Sequence, residues 1–304
     1  MSKRIALLIG NYVYQDKLLS QLKKSDANVP DLAAVLCSPA IGDFDIVETI
    51  INQPSSQIRD RISDLYKWKK RHDMLLLYFS GHAVLDGAGQ LYLAAVDTFL
   101  DSLTETAISA ASITASMDRS FSRQQILMLD CNYIGIAAQE SITDLEPGQL
   151  QPHHFKGRGY GRVVLTASDT IHYFVAGNQT YGQLDEPVFT ECLIQSLRSG
   201  AADVDGDGQI EIGELYQYLL DQIPQPARNR PCLWPYGKQD QVIIARVPIS
   251  TAEKWRSIKW DLIFGAIMAP LATIVIGSAA SLSTSVGMAG LFLLLYAVLY
   301  RYLD

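Results

Sequence analysis

The sequence predicts an α/β fold with a mostly parallel sheet sandwiched by helices, followed by a C-terminal two-helix transmembrane hairpin. The sheet is indicated by short continuous apolar runs that alternate with segments whose apolar residues recur at helical spacing. The hairpin is indicated by 39 consecutive residues, 262–300, without a charged side chain, since one span needs about 20 residues. We therefore expect a folded domain over residues 1–248, a juxtamembrane linker over 249–261 and the hairpin over 262–304.

Each element of the folded domain is predicted from its own pattern. The strands are continuous apolar runs, as in buried parallel strands. The helices carry their apolar residues on one face, as Ile58, Ile62 and Leu65 do. In chain order we predict a strand over 3–10, a helix over 28–36, a strand over 44–51, a helix beginning at Ser55 or Ser56, strands beginning at Met74 and Leu91, a helix over 108–117 and a strand over 125–129.

Two of these strands are followed by residues that can carry chemistry. The run 74–79 leads into Ser80, Gly81 and His82, and the run 126–129 leads into Asp130 and Cys131. Ligands gather at the carboxyl ends of the strands in open α/β sheets, so we expect both segments at one site. A histidine near a cysteine is the pairing that a thiolate nucleophile needs, because the imidazole can take the thiol proton near neutral pH.

These two segments resemble the motifs of a known family. The segment 78–82 (Tyr-Phe-Ser-Gly-His) and the segment 129–135 (Leu-Asp-Cys-Asn-Tyr-Ile-Gly) resemble the histidine and cysteine motifs of caspase-like peptidases, the bacterial relatives of metacaspases. The resemblance continues through residues 4–11, 91–98, 163–169 and 189–190, and covers roughly 3–245. It implies a caspase-like fold and a cysteine endopeptidase that cleaves after basic residues, with His82 as the catalytic histidine.

The cysteine motif departs from the family pattern at the nucleophile. In the family the nucleophile lies two positions after the aspartate, and that position here is Asn132. Cys131 occupies the variable position between them, and alternation along a strand points it to the opposite face. An asparagine amide cannot supply a thiolate, so we predict a pseudo-peptidase that binds a protein or peptide partner, or a second copy of itself. The alternative is an active peptidase in which Cys131 replaces the missing thiol and works with His82.

The resemblance also implies three positions on the substrate side. Family members have an aspartate near the start of the first helix that helps to hold a basic substrate side chain, and Asn28 matches that position. Asp130 is retained from the family motif, and Asp169 lies in the matching segment after a later strand. Asn28, Asp130 and Asp169 are therefore the candidate substrate-binding residues.

A calcium-binding loop is predicted over residues 203–214. Carboxylates occupy the first, third and fifth positions of a twelve-residue loop, a glycine occupies the sixth, and a glutamate closes it. The candidate Ca²⁺ ligands are Asp203, Asp205, Asp207, the backbone carbonyl of Gln209 and Glu214. The alternative is an acidic surface turn that folds without a metal.

Composition and flanking charges limit the partners and the location. The formal net charge is −7, so we expect no nucleic-acid partner. The four cysteines lack zinc-type spacing, which favours buried thiols in a reducing compartment. Basic residues flank the hairpin and its turn is uncharged, so we expect a membrane protein with the folded domain on the cytoplasmic side. In this interpretation the hairpin either anchors the domain or is itself the effector that disturbs the membrane.

Overall fold

The computed structural model describes residues 2–19, 28–136, 148–174, 188–223, 230–237 and 242–247. The chain divides into two compact units, Met1–Pro248 and Ile249–Asp304, and all described residues belong to the first. The elements of that unit are β1 Arg4–Gly10, α1 Asn28–Cys37, β2 Ile46–Ile51, α2 Ser55–Tyr66, β3 Met74–Leu85, β4 Leu91–Leu93, α3 Leu103–Thr106, β5 Ile108–Ser109, α4 Ala110–Arg119, β6 Gln124–Ile136, β7 Gly148–Gln149, β8 Arg162–Thr166, β9 Thr170–Phe174, α5 Val188–Ser199, β10 Gln209–Glu211, α6 Ile212–Gln222, β11 Cys232–Tyr236 and β12 Ile243–Arg246.

The main sheet is mostly parallel, as predicted. Its central path is β11-β8-β6-β3-β1-β2. Neighbouring strands from β8 to β2 run parallel, and β11 pairs antiparallel with β8 at one edge. The short strands β4, β5, β7 and β9 extend this sheet, while β10 and β12 form a separate two-stranded ladder. All amino ends of the parallel strands therefore lie at one edge of the sheet and all carboxyl ends at the other.

Helices cover both faces of the sheet, which also agrees with the prediction. One face packs against α1, α5 and α6 through residues such as Leu32, Leu193 and Leu215. The other face packs against α2 and α4 through residues such as Ile58 and Ile113. These five side chains are at most 1% exposed, and burying each contributes about 1.5–3 kcal/mol relative to exposure. The spacing that predicted the helices is thus the spacing that fills the two core layers.

Strands β3 and β6 are longer than the apolar runs predict. The runs indicated strand ends just before residues 80 and 130, but β3 continues through His82 to Leu85 and β6 continues through Asn132 to Ile136. The two strands stay in parallel register along their whole shared length. β4 and β9 pair with the extensions and satisfy their backbone groups. The prediction that both strands end at the site is therefore wrong. The backbone hydrogen bonds to β4 and β9 maintain the strand conformation where polar side chains interrupt the apolar runs.

The C-terminal part of the predicted fold class is corrected. Within the described residues, none of the helices has the length and apolar character needed to cross a membrane. The transmembrane hairpin is therefore wrong as part of the fold class, which is a caspase-like parallel sheet with helices on both faces. The segment for which it was predicted, 262–304, and the linker over 249–261 lie outside the described residues. An uncharged run permits a span but does not by itself form a helix.

Candidate active site and calcium loop

His82 is buried beneath the loop that follows β1, with 2% of its surface exposed. Its Nε2 atom lies 3.0 Å from the carbonyl oxygen of Leu19. A carbonyl oxygen only accepts hydrogen bonds, so Nε2 carries a proton and donates it. The backbone N–H of His82 donates to the hydroxyl of Tyr14 at 3.0 Å, and the two rings lie 5.1 Å apart. This bond fixes the tautomer of the imidazole, so the lone pair that can accept a proton lies on the other ring nitrogen, Nδ1.

Asn132 and Cys131 lie on opposite faces of the sheet. Cys131 is 4% exposed and packs with Leu129 and Tyr133 in the core layer beneath α2 and α4. Asn132 alternates to the other face and is the Cα partner of His82 on β3. Neighbouring strands are about 4.8 Å apart, so the two side chains stand side by side. The group beside the imidazole is therefore an amide, while the thiol of Cys131 lies in the core.

Asp130 is tied into a buried hydroxyl network. Its Oδ2 atom accepts from the hydroxyl of Thr190 at 2.7 Å, and the hydroxyl of Tyr78 lies 2.6 Å from that of Thr190. Asp130 is 5% exposed. Burial, and after it the charge of Asp130, raises the pKa of the Tyr78 hydroxyl well above its ordinary value. The carboxylate that the resemblance places on the substrate side is thus engaged by the hydroxyls of the domain itself.

The other two substrate-side candidates are not brought together with Asp130 by any hydrogen bond among the described residues. Asn28 is the first residue of α1 and is 4% exposed, and its Nδ2 atom has no hydrogen-bond partner in the described part of the chain. Asp169 is partly exposed on the turn after β8, where its Oδ2 accepts from Gln149 Nε2 at 2.6 Å. After burial of the thiol itself, Asp169 helps to raise the pKa of Cys232 to about 12.

The sequence predictions missed the residues that hold His82 and Asp130. Thr190 stands in a segment that supports the family resemblance, but that segment does not indicate its role. Leu19 contributes only a backbone carbonyl, so its side chain gives no signal. The hydroxyl of Tyr14 accepts from the backbone N–H of His82 on β3 and donates to the carbonyl of Asn11 at 2.7 Å. These contacts depend on where the loop after β1 folds back, which periodicity does not encode.

The loop over 203–214 lies between α5 and α6 and brings three of the candidate calcium ligands together. Ligand oxygens of Asp203, Asp205 and Glu214 lie within 4.8 Å of one another. Asp207 is directed instead to the backbone N–H of Gln209, at 2.7 Å. Hard carboxylate oxygens converging from a short loop suit Ca²⁺, and the backbone of Gln209 lies at the start of β10, which pairs with β12. The residues therefore fit the ion.

Comparison with known proteins agrees with this fold. The family model described as the caspase domain matches residues 3–234. A crystal structure of protein GSU0716 from Geobacter sulfurreducens shares the fold with a TM-score of 0.50 at 12% identity, covering 83% of this chain and 96% of that one. Caspase-1 from Spodoptera frugiperda gives a TM-score of 0.48 at 16% identity, covering 77% and 87%. No curated protein matched the sequence.

The architecture and the paired His82 and Asp130 segments define a caspase-like α/β domain. With a family match over three quarters of its length, the chain belongs to the caspase-domain family.

Proposed function

We propose that this caspase-domain protein is catalytically silent and acts by binding a protein or peptide partner, including a second copy of itself. The observation that carries the proposal is the register of β3 and β6, which pairs His82 with Asn132. The nearest thiol, that of Cys131, packs on the other face of the sheet. The Nε2 proton of His82 is donated to a backbone carbonyl. The arrangement therefore lacks a thiol that faces the imidazole, and without one the histidine has no nucleophile to activate.

An apolar surface near His82 supports the binding role. Val13, Leu18 and Phe99 are 58%, 39% and 42% exposed. Asp16 joins the two loops, because its carboxylate accepts from the backbone N–H groups of Leu18 and Leu100. Leu18 directly precedes the residue whose carbonyl holds His82. Exposed apolar side chains grouped at a sheet edge are typical of surfaces that contact another protein.

Purified protein is expected to leave fluorogenic peptides that contain Arg or Lys uncleaved, and His82→Ala is expected to act on stability alone. Losing the buried hydrogen bond to Leu19 should lower the free energy of unfolding by about 1–3 kcal/mol. Urea denaturation measures this loss, and peptide fluorescence measures cleavage. Cleavage that disappears in Cys131→Ala, but persists in the exposed-cysteine control Cys37→Ala, would show an active peptidase that uses Cys131.

The binding half of the proposal is tested with the same preparations. Light scattering after size-exclusion chromatography is expected to detect self-association that the double variant Leu18→Asp, Phe99→Asp removes. Trp68→Ser is the matched control, since Trp68 is 86% exposed but precedes β3 at the opposite edge of the sheet. A monomer that also captures no peptide from a random-sequence library would argue against this surface as a binding site.

We also propose that the loop over 203–214 binds Ca²⁺ and stabilises the helix pair α5–α6. Addition of CaCl₂ is expected to raise the melting temperature, because an ion that binds only the folded state stabilises it by mass action. Glu214→Gln should remove most of this rise, since Glu214 is the closing ligand of the pattern. Glu191→Gln, on α5 outside the loop, is the control for loss of one negative charge. Equal melting temperatures in CaCl₂ and in EDTA would contradict calcium binding.

A further inference from the structure

A cavity of about 640 Å³ lies at the amino-terminal edge of the sheet. It is bounded by the end of α4, the start of β6 and the loop before β8. Gln125, which lines it, precedes Asn132 by seven residues on β6, so the cavity is about 23 Å from the candidate active site at roughly 3.3 Å per residue. Its volume falls within the range of small-molecule sites, about 300–1,000 Å³. The side chains that carry the argument are Arg119, Phe121, Arg123, Gln125, Arg158 and Tyr160.

The cavity is strongly positive in a chain whose net charge is −7. Arg119, Arg123 and Arg158 line it, and within the described residues none of these guanidinium groups forms an ion pair with a carboxylate. The one acid in the lining, Asp118, is already neutralised by the buried Arg162 at 2.8 Å. Three guanidinium groups without counter-charges favour an anionic ligand, and their planar donors suit the oxygens of a phosphate.

Gln125 forms a buried part of the cavity wall. Its side chain is 2% exposed, and its Nε2 atom donates to the carbonyls of Met117 and Ser122. These two bonds fix the orientation of the amide, since a carbonyl must face the NH₂ group. The Oε1 atom is buried and has no hydrogen-bond partner in the described part of the chain. A buried acceptor without a donor is rare in folded proteins.

Two exposed aromatic rings complete the lining. Phe121 and Tyr160 are 73% and 69% exposed, and the guanidinium of Arg123 lies 5.8 Å from the centre of the Tyr160 ring. Exposed rings beside arginines are the combination on which nucleic-acid bases stack. We propose that this cavity binds a nucleotide, with its phosphates against the arginines and its heterocycle against the aromatic rings. The site is distinct from the candidate active site.

Isothermal titration of the full chain with ADP, in EDTA, tests the proposal. ADP is expected to bind, and adenosine and inorganic phosphate should each bind at least tenfold more weakly, since each lacks one half of the recognised chemistry. Arg123→Ala and Arg158→Ala should each weaken ADP binding by about tenfold or more, because a hydrogen bond to a charged group contributes about 1.5–3 kcal/mol. Arg61→Ala is the matched control, since Arg61 is exposed on α2 and pairs with Glu48.

Three results would overturn the proposal. The first is the absence of ADP binding at millimolar concentration. The second is binding that Arg123→Ala and Arg158→Ala leave unchanged. The third is inorganic phosphate, or a peptide of alternating Glu and Asp, binding as tightly as ADP, because either result would mean that the arginines recognise charge without the heterocycle.

Discussion

Arg162→Ala is expected to lower the free energy of unfolding by about 3–5 kcal/mol, the cost of removing one partner of a buried ion pair. Arg162 begins β8 and is 1% exposed. Its guanidinium binds Asp118 at 2.8 Å and donates to the carbonyls of Phe155 and Lys156 at 2.8 and 3.0 Å. The substitution removes the guanidinium donor from the two carbonyls, leaves Asp118 with the backbone N–H of Arg158, and opens a cavity beside the core. Urea denaturation monitored by circular dichroism measures the change.

The matched control is Arg61→Ala, which removes an ion pair at the surface. The Nε atom of Arg61 lies 3.2 Å from Glu48 Oε1, and both side chains are nearly half exposed. Such pairs contribute about 0–1 kcal/mol because water screens them. For Arg162→Ala, the urea concentration at the midpoint of unfolding should fall. The slope of the free energy of unfolding against urea concentration should stay unchanged. Similar losses for the two variants would mean that burial does not set the strength of the Arg162 contacts.

Gly161→Ala is expected to lower the free energy of unfolding by about 3 kcal/mol, from backbone strain, a steric clash and a lost hydrogen bond together. Gly161 has φ +69°, a conformation that costs a residue with a side chain. A Cβ there would lie 2.5 Å from the carbonyl oxygen of Arg123. Relieving that clash moves the backbone of Gly161, whose carbonyl oxygen accepts from the Gln125 N–H at 2.8 Å. Thermal and urea denaturation both measure the loss.

Gly89→Ala isolates the cost of the backbone conformation. Gly89 has φ +77°, but a Cβ there would have no heavy atom within 4 Å. This control should lose only about 1–2 kcal/mol. The difference between the two variants is then the cost of the clash at Gly161. If the two losses were equal, the close approach of β6 and β8 at this edge would contribute nothing.

The order of the fold could be predicted from the sequence, but the ends of the central strands could not. Apolar runs and helical spacing depend on which side chains are buried, so they place the parallel strands and their covering helices correctly. The continuation of β3 and β6 depends on β4 and β9, which approach from distant parts of the chain. The hairpin was predicted for residues 262–304, which lie outside the described part of the chain, and none of the described helices is long and apolar enough to span a membrane.

The site was predictable wherever strand alternation decides it. Alternation predicts opposite faces for Asn132 and Cys131, and in the structure Cys131 packs in the core beneath α2 and α4. The contacts that hold His82 could not be predicted by alternation, because a backbone carbonyl and a tyrosine from the loop after β1 supply them. The cavity around Gln125 was missed because its arginines come from two segments, 119–123 and the loop around 158, that are far apart in the sequence.

The uninterrupted pairing of β3 with β6 also bears on whether this protein could regain a nucleophile in evolution. Reverting Asn132 to cysteine would place sulfur beside His82, but in the middle of a ladder whose backbone is paired on both sides. The imidazole can take a proton at Nδ1 while its Nε2–H stays bound to the carbonyl of Leu19. A return to peptidase chemistry therefore depends on whether a substrate carbonyl can reach a sulfur atom that lies within this paired ladder.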